Sequence, residues 1–494
     1  MATGGQDHGR AGIDPVRRSR TGRRALQAGA AHLADLVDIP ALGRRQRALD
    51  PRLPRQERRD SQVVASSSAS ANRRPDRRPD RRVVITGVGA VTPVGNDMPA
   101  TWQNLVEGVS GVGPIRRFDP EEWGVKIPIA AEVKDWNPEP KLPDAKALRH
   151  MDLNTQYGMI AGLEALDDSG LEISEDNQHR VGIIFGSGGG GMELVTRWQD
   201  TLVSRGARRV SPFAMPNLIA DAASGHLSIA TGATGPNFSP TSACATGANA
   251  VADGLLHIRA GRADALLVGG SEAIILPLFH ICFERMGVLA TPSEPLSASC
   301  APYDLHRNGF VPGEGAAAMM IEDLDHALDR GAPIYAEVVG GGSANDGHDI
   351  AQPEPHGRGL MVSVQQAVDE AQIDPTSIGY VSTHGTATKL GDQVEVTALK
   401  RMFGSHADDL ALSSIKPATG HMMGASGALE VIVSAMVIKK GIAPPTLNYQ
   451  TPDPDLDVDV IPNEARELRV ESALSFSVGL GGHNAAVLLK RFDE

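Results

Sequence analysis

The stretch SPTSACATGANAVADGLLHIRAG, residues 239–261, predicts a tight turn followed by a helix. Its first part is extended and ends in small residues, and the helix is expected over about residues 245–258. The small residues around Cys244 leave room for the turn to present the thiol at the start of this helix. Because the positive end of a helix dipole lowers the pKa of a thiol, the pattern favours Cys244 as a nucleophile. A buried structural cysteine is the alternative.

Short apolar strands alternate with helical stretches along the chain on both sides of this segment. Apolar runs that end in glycine or other small residues occur at residues 83–95, 181–191, 265–273, 378–386 and 410–416. This alternation predicts an α/β fold with central sheets covered by helices on both faces. A boundary is expected near Gly331, which divides the folded part into residues 83–331 and 332–494.

Two histidines follow predicted strands in the second of these parts. His384 lies in VSTHGTATKLGD, and His421 follows Lys416 in SSIKPATGHMMGASGALE. Ligands of α/β proteins gather outside the carboxyl ends of the strands, so these side chains are expected to meet Cys244 in one site. A metal site made of Cys244, His384 and His421 is a competing interpretation, although no fourth ligand has a clear spacing.

The charge of this 494-residue chain is unevenly distributed. Residues 1–82 carry 19 Arg, no Lys and 9 acidic residues, which gives +10; the total is −13, so the remainder carries −23. We interpret residues 1–82 as a disordered Arg-rich leader or an over-long gene start. An organelle transit peptide is the alternative, and the acidic residues count against it. The acidic remainder argues against nucleic-acid binding.

The three cysteines, Cys244, Cys282 and Cys300, form no CxxC pair. This argues against a disulfide framework or a structural zinc site and favours a reducing compartment. No apolar run is long enough to predict a membrane span. A cytoplasmic protein is therefore expected, or one of an organelle stroma if the leader is a transit peptide.

Four segments resemble the β-ketoacyl-acyl carrier protein synthases, most closely the type II, chain-elongating enzymes of fatty acid synthesis. They are TSACATG, HGTATKLGD, IKPATGHMMGASGALE and SFSVGLGGHN, in this order along the chain. The resemblance covers roughly residues 82–490. It implies a thiolase-like α/β fold of five layers, α-β-α-β-α, with two similar halves that each hold a mixed five-stranded sheet. It also implies a homodimer. No internal duplication is evident in the sequence itself.

The resemblance assigns catalytic roles to five side chains. Cys244 would accept an acyl group from a carrier thioester. His384 and His421 would bind the carbonyl of a malonyl thioester and stabilise the enolate that loss of CO₂ leaves. Lys416 would organise the site electrostatically, and Glu395 matches an acidic residue of that network. No metal and no cofactor is expected, because the phosphopantetheine arm of acyl carrier protein delivers the acyl groups.

Other positions match groups that bind the substrate. The backbone N–H groups of Cys244 and Leu480 would form the oxyanion hole. Thr386 and Thr388 would hydrogen-bond the pantetheine arm. Gly189 stands where many relatives have a bulky Ile at the floor of the acyl pocket, so a deeper pocket is expected.

The C-terminal segment departs from the family pattern. Val478 and Leu480 occupy the places of two phenylalanines, one of which gates the acyl pocket. Looser or differently tuned gating is therefore expected, while the backbone N–H of Leu480 is unaffected by the replacement.

A basic patch is expected at the tunnel mouth, because the carrier protein is acidic. The residues that match basic docking positions are Lys146, Arg149, Arg208 and Arg209. Ordinary solvated charge is the alternative for each of them.

Three functions compete at this point. The first is an elongating ketosynthase of fatty acid synthesis. The second is a type II polyketide ketosynthase with the same chemistry, which the changes at Val478 and Leu480 favour. The third is a non-catalytic subunit that binds acyl chains or carriers, which the presence of Cys244 disfavours.

Overall fold

The computed structural model describes residues 81–142 and 147–493. Most of the predicted leader, together with Lys146, lies outside the described residues. The described part begins at Arg81 and Arg82, which are held by the folded body. Arg82 donates to both carboxylate oxygens of Glu337, at 2.9 and 2.7 Å, and Arg81 donates to Asp264 at 3.2 Å. The last two residues of the predicted leader therefore belong to the folded body.

The described residues form fifteen strands. They are β1 (Val83–Val91), β2 (Val112–Pro114), β3 (Ile129–Ala131), β4 (Val181–Gly186), β5 (Asn237–Phe238), β6 (Ala265–Glu272), β7 (Gly315–Asp323), β8 (Ala336–Asn345), β9 (Ile378–Ser382), β10 (Ala411–Ser413), β11 (Ile442–Ala443), β12 (Asp459–Val460), β13 (Arg466–Glu467), β14 (Ser472–Gly479) and β15 (His483–Lys490).

The same residues form thirteen α-helices. They are α1 (Met98–Val106), α2 (Pro120–Trp123), α3 (Leu153–Ser169), α4 (Met192–Arg205), α5 (Ala214–Leu218), α6 (Ala222–Thr231), α7 (Thr246–Arg259), α8 (Pro277–Met286), α9 (Leu324–Asp329), α10 (Arg358–Ala371), α11 (Lys389–Phe403), α12 (Lys416–Thr419) and α13 (Ser426–Lys440). None of the helices in the described ranges is both long and apolar enough to cross a bilayer.

One mixed sheet contains two copies of a five-stranded pattern. The strand order is β5-β4-β6-β7-β1 in the first half and β10-β9-β14-β15-β8 in the second, with β12 added outside β10. In each half the first three strands are parallel, and the fourth is antiparallel to both of its neighbours. The halves join where β1 pairs with β8, through Val84 with Glu337 and Ile85 with Ala336. The predicted boundary at residue 331 lies between α9 and β8.

The helices complete the five layers. Helices α3 and α6 pack on the outer face of the first half, and α10 packs on the outer face of the second. Helices α7 and α13 lie between the two halves and contact each other as well as β6 and β14. Helix α13 is almost entirely buried, as its run of apolar and small residues requires. The thiolase-like fold with two similar halves is confirmed.

The two central helices approach closely at a pair of glycines. A Cβ on Gly247 of α7 would lie 2.6 Å from the backbone nitrogen of Ala428, and a Cβ on Gly427 of α13 would lie 2.9 Å from that of Ala248. The symmetry of these contacts aligns CATGA, which begins at Cys244, with GASGA, which begins at Gly424. The duplication that was not evident in the sequence is therefore present at the helix crossing.

Replacing Gly247 by Ala tests this crossing. The added methyl group would press on the backbone of α13, so we expect a loss of unfolding free energy of about 1–3 kcal/mol. Gly225 is the matched control, because it lies within α6 and a Cβ there has no atom within 4 Å. Gly225→Ala is expected to stabilise by roughly 0.5–1 kcal/mol. Denaturant unfolding measures both, and equal stabilities of the two variants would contradict the close crossing.

Candidate active site

Cys244 lies in a 3-10 turn, Ala243–Ala245, directly before α7. Ala243 has a φ of +50°, a conformation that residues other than glycine rarely adopt. Two hydrogen bonds hold the turn: the Ser242 N–H donates to Thr246 Oγ1 at 2.9 Å, and Thr246 Oγ1 donates to the Ala243 carbonyl at 2.8 Å. The structure thus has the predicted turn, with the thiol at the start of the helix.

The surroundings of Cys244 are apolar. Its side chain packs in a buried cluster with Ile274, Phe283, Phe310 and Met423. Burial raises the pKa of the Cys244 thiol to about 11, although a hydrogen bond from the Leu480 N–H and the charge of Lys416 act in the opposite direction. The expected lowering of this pKa is wrong, because removal of water from the thiolate outweighs the favourable contacts. At neutral pH the thiol is protonated and needs a base to react.

His421 is placed to be that base. Its Nε2 lies 3.1 Å from Cys244 Sγ, and its Nδ1 lies 3.1 Å from Ser426 Oγ. Burial and the charge of Lys416 hold the pKa of His421 well below its usual value, so the imidazole is neutral. The Ser426 hydroxyl can donate to or accept from Nδ1, so it supports either tautomer.

His384 completes a compact trio. Its ring centroid lies 5.2 Å from that of His421, with the two rings nearly perpendicular. Ligand atoms of Cys244, His384 and His421 lie within 4.8 Å of one another, and all three side chains are buried. Burial, followed by the charge of Lys416, lowers the pKa of His384 well below its usual value. The structure therefore brings together two neutral imidazoles and one neutral thiol.

Lys416 is almost completely buried, and its charge acts on both histidines. Its ammonium group forms an ion pair and a hydrogen bond with the buried carboxylate of Glu430. Glu430 was missed in the sequence analysis, although it ends the segment that contains Lys416 and His421. Lys416 and Glu430 are 14 residues apart in sequence, and this spacing does not by itself indicate that they form a buried ion pair.

Glu395 lies in a second buried network, next to His384. It accepts two hydrogen bonds from the Gly385 N–H, at 3.1 and 3.0 Å, and one from Tyr303 Oη at 3.0 Å. Burial and the neighbouring carboxylate of Asp392 raise its pKa. Glu395 therefore fixes the backbone immediately after His384, while its interaction with Lys416 is electrostatic.

Glu272, which the sequence analysis also missed, connects the two halves beneath the thiol. Its buried carboxylate accepts hydrogen bonds from Gly188 N–H at 2.9 Å, Gly189 N–H at 3.1 Å and Gly424 N–H at 3.1 Å. Gly424 follows Met423, which has a φ of +44° and whose Sδ lies 3.9 Å from Cys244 Sγ. Nothing in the local sequence around Glu272 indicates this function, because its partners come from distant loops.

A cavity of about 620 Å³ opens onto the trio. Thr386 and Thr388 line it, with their hydroxyl oxygens 3.1 Å apart, and so do Val478 and Leu480. Gly189 lies outside this lining, and a Cβ there would contact Glu272, Ile274 and Met192. The deeper pocket expected from Gly189 stays a prediction.

The predicted docking arginines are exposed and lie outside the cavity lining. Arg149 ends the turn Ala147–Arg149, and Arg208 and Arg209 lie in the turn Ala207–Arg209. The chain segments that follow these two turns are in contact, because the rings of His150 and Phe213 are 5.0 Å apart.

Two family models cover most of the described chain. "Beta-ketoacyl synthase, N-terminal domain" matches residues 80–327, and "Beta-ketoacyl synthase, C-terminal domain" matches residues 335–450. The chain belongs to the β-ketoacyl synthase family.

Curated members of the synthase family are similar over nearly their full length. The 3-oxoacyl-[acyl-carrier-protein] synthase 2 of Staphylococcus aureus (strain COL) is 44% identical over 412 residues, which is 83% of this chain and 99% of the relative. The protein of that name from Coxiella burnetii is 42% identical over 413 residues, again 83% and 99%.

Solved structures of synthases share the fold. A type II polyketide ketosynthase with its acyl-carrier protein, AntDE:AntF, has a TM-score of 0.77 at 30% identity and covers 83% of this chain and 100% of its own. The ishigamide ketosynthase/chain length factor has a TM-score of 0.77 at 32% identity, with 84% and 100% covered. A synthase from Burkholderia phymatum has a TM-score of 0.76 at 30% identity, with the same coverage.

Proposed function

We propose that the chain is a β-ketoacyl-acyl carrier protein synthase of fatty acid chain elongation. It would condense malonyl-carrier with an acyl group held on Cys244. The observation that carries this proposal is the buried trio, in which Cys244 Sγ lies 3.1 Å from His421 Nε2 at the edge of a cavity of about 620 Å³. The 44% identity to a 3-oxoacyl-[acyl-carrier-protein] synthase 2 agrees with it.

Acyl transfer to Cys244 is the first half of the reaction. His421 Nε2 takes the thiol proton as Sγ attacks the thioester carbonyl, and the proton passes to the departing pantetheine sulfur. A base in contact is required, because burial keeps the thiol protonated. The N–H groups of Cys244 and Leu480 would hold the oxyanion, and the Leu480 N–H already donates to the sulfur.

Decarboxylative condensation is the second half. His384 and His421 would donate hydrogen bonds to the malonyl thioester carbonyl, for which neutral imidazoles suffice. The bond to the carboxylate breaks, CO₂ leaves, and the electron pair forms an enolate. The enolate carbon attacks the acyl carbonyl on Cys244, the carbon–sulfur bond breaks with its electron pair on Sγ, and the β-ketoacyl product leaves on the carrier. The released thiolate takes up a proton from solvent and returns to the neutral thiol. Lys416 stabilises the negative charge that develops, and Glu430 holds its ammonium group in place.

A type II polyketide ketosynthase is the second candidate function. Val478 and Leu480 line the cavity without the bulk of phenylalanine, which would admit wider chains. Two of the solved structures above are named for polyketide or ketosynthase/chain length factor systems, at 30% and 32% identity. The higher identity to the fatty acid enzymes favours elongation.

The partners follow from this function. Acyl carrier protein would dock through Arg149, Arg208 and Arg209, with Lys146 as a further contact, and its pantetheine arm would pass Thr386 and Thr388. We also propose a homodimer formed across the outer edge of β5, with which only β4 pairs among the described strands. Exposed apolar side chains surround that edge, namely Ile229, Phe238 and Leu256. A cytoplasmic location remains part of the proposal.

A condensation assay with malonyl-carrier and a ladder of acyl primers tests the reaction. Cys244→Gln is expected to lose condensation yet keep decarboxylating malonyl-carrier, because decarboxylation needs the histidines and not the thiol. Cys282→Gln, on the exposed side of α8, is the matched control and is expected to condense normally. Condensation by Cys244→Gln would contradict the assigned nucleophile. A preference for polyketide primers over saturated acyl primers would favour the second candidate.

Charge reversal tests carrier docking. Arg149→Glu combined with Arg208→Glu should raise the apparent KM for carrier-bound substrates by about tenfold or more while sparing small thioesters. Arg262→Glu is the control, because this exposed residue lies beyond the far end of α7, roughly 20 Å along the helix from Cys244. Equal effects on carrier-bound and small substrates would refute docking at these arginines.

A further inference from the structure

The trio also has the composition of a soft-metal site. One sulfur and two imidazole nitrogens lie within 4.8 Å of one another, on Cys244, His384 and His421. Among the ligands that proteins offer, thiolate and imidazole are those that most often bind Zn²⁺. No described carboxylate belongs to this group of ligand atoms. The set is therefore suited to Zn²⁺ and poorly suited to Mg²⁺ or Ca²⁺.

The spacing is close to that of a tetrahedral zinc site. Zinc lies about 2.3 Å from sulfur and about 2.0–2.1 Å from nitrogen, so neighbouring ligand atoms are about 3.3–3.6 Å apart. Cys244 Sγ and His421 Nε2, at 3.1 Å, would separate slightly. The widest pair in the trio, at no more than 4.8 Å, would close by about 1 Å, which side-chain rotation can supply.

The surroundings provide the remaining features of such a site. The cavity reaches all three side chains, so it gives an entry path and an open fourth position for water. Ser426 Oγ contacts Nδ1 of His421 and leaves Nε2 directed at the sulfur. The nearby ammonium group of Lys416 is already paired with Glu430, which reduces its repulsion of a cation.

We propose that the unacylated protein binds one Zn²⁺ through Cys244, His384 and His421, and that this ion blocks acyl transfer. On binding, the S–H bond breaks, the proton leaves to solvent, and a zinc–sulfur bond forms. A sulfur that carries an acyl group cannot ligate the metal, so acylation and zinc exclude each other. The zinc-bound form and the metal-free form with a reactive thiol are then two states of the same three side chains. The blocking effect, unlike the binding, depends on the proposed function.

Cobalt substitution tests the binding directly. Addition of Co²⁺ to the metal-free protein is expected to give a thiolate-to-cobalt absorption band that saturates at one equivalent per chain. Cys244→Ser should abolish the band and Cys282→Ser, the matched control on an exposed cysteine, should retain it. If Cys244→Ser folds poorly, Cys282→Ser protein alkylated by iodoacetamide, with modification of Cys244 verified by mass spectrometry, gives the same comparison. A missing band, or one that persists without the Cys244 thiol, overturns the proposal.

Kinetics separate this inference from the proposed function. One equivalent of Zn²⁺ should lower condensation by about tenfold or more, since a metal-bound sulfur is withheld from attack, and chelator should restore it. Preloading Cys244 with an acyl group should protect the enzyme. If one equivalent of Zn²⁺ leaves the rate of condensation unchanged, the proposed inhibition by zinc is overturned. If the protein binds Co²⁺ with the expected band but cannot condense when it is free of metal, the proposed function is overturned and the metal site still stands.

Discussion

The close crossing of two buried helices is the constraint on which the active site depends. Gly247 and Gly427 let the backbones of α7 and α13 approach closely, because neither glycine places a side chain in the contact. Each helix begins in a tight turn with a residue of positive φ, Ala243 in one and Met423 in the other. The two duplicated turns face each other. The first presents the thiol of Cys244, and the second comes shortly after His421 in the chain. Reactive groups 177 residues apart in sequence come within 3.1 Å of each other.

Burial sets the chemistry of these groups. The apolar cluster around Cys244 keeps the thiol protonated, and the same burial keeps both histidines neutral. In the proposed mechanism, the hydrogen bond from the Leu480 N–H and the charge of the Lys416–Glu430 pair then assist the reaction. Buried ion pairs contribute little net stability compared with apolar residues of similar size. The buried Lys416–Glu430 pair is therefore better explained by the charge that it supplies to the site than by stability.

Much of the fold and of the trio could be predicted from the sequence. Strands such as Val83–Val91 and Ala265–Glu272 are marked by local apolar runs, and the small residues around Cys244 mark its turn. Histidines at strand ends are expected to converge, since the carboxyl ends of parallel strands share one edge. Family resemblance added the roles, but the local pattern already placed the residues.

Features that depend on packing between distant segments were missed. Glu272 and Glu430 lie in unremarkable local sequence, and their partners, Gly424 and Lys416, become neighbours only in the folded chain. The predicted direction of the shift in the Cys244 pKa was wrong, because the sequence indicates the start of a helix but not the apolar cluster around the thiol. The duplication is not evident in the sequence, because the segments that the helix crossing aligns, CATGA and GASGA, are only five residues long.

The most direct test of the account is to find where the acyl group is held. Protein incubated with an isotopically labelled acyl-carrier thioester is denatured, digested and mapped by mass spectrometry. We expect one acyl group per chain, on the peptide that contains Cys244. Label on Cys282 or Cys300, or none that survives denaturation, would contradict the account.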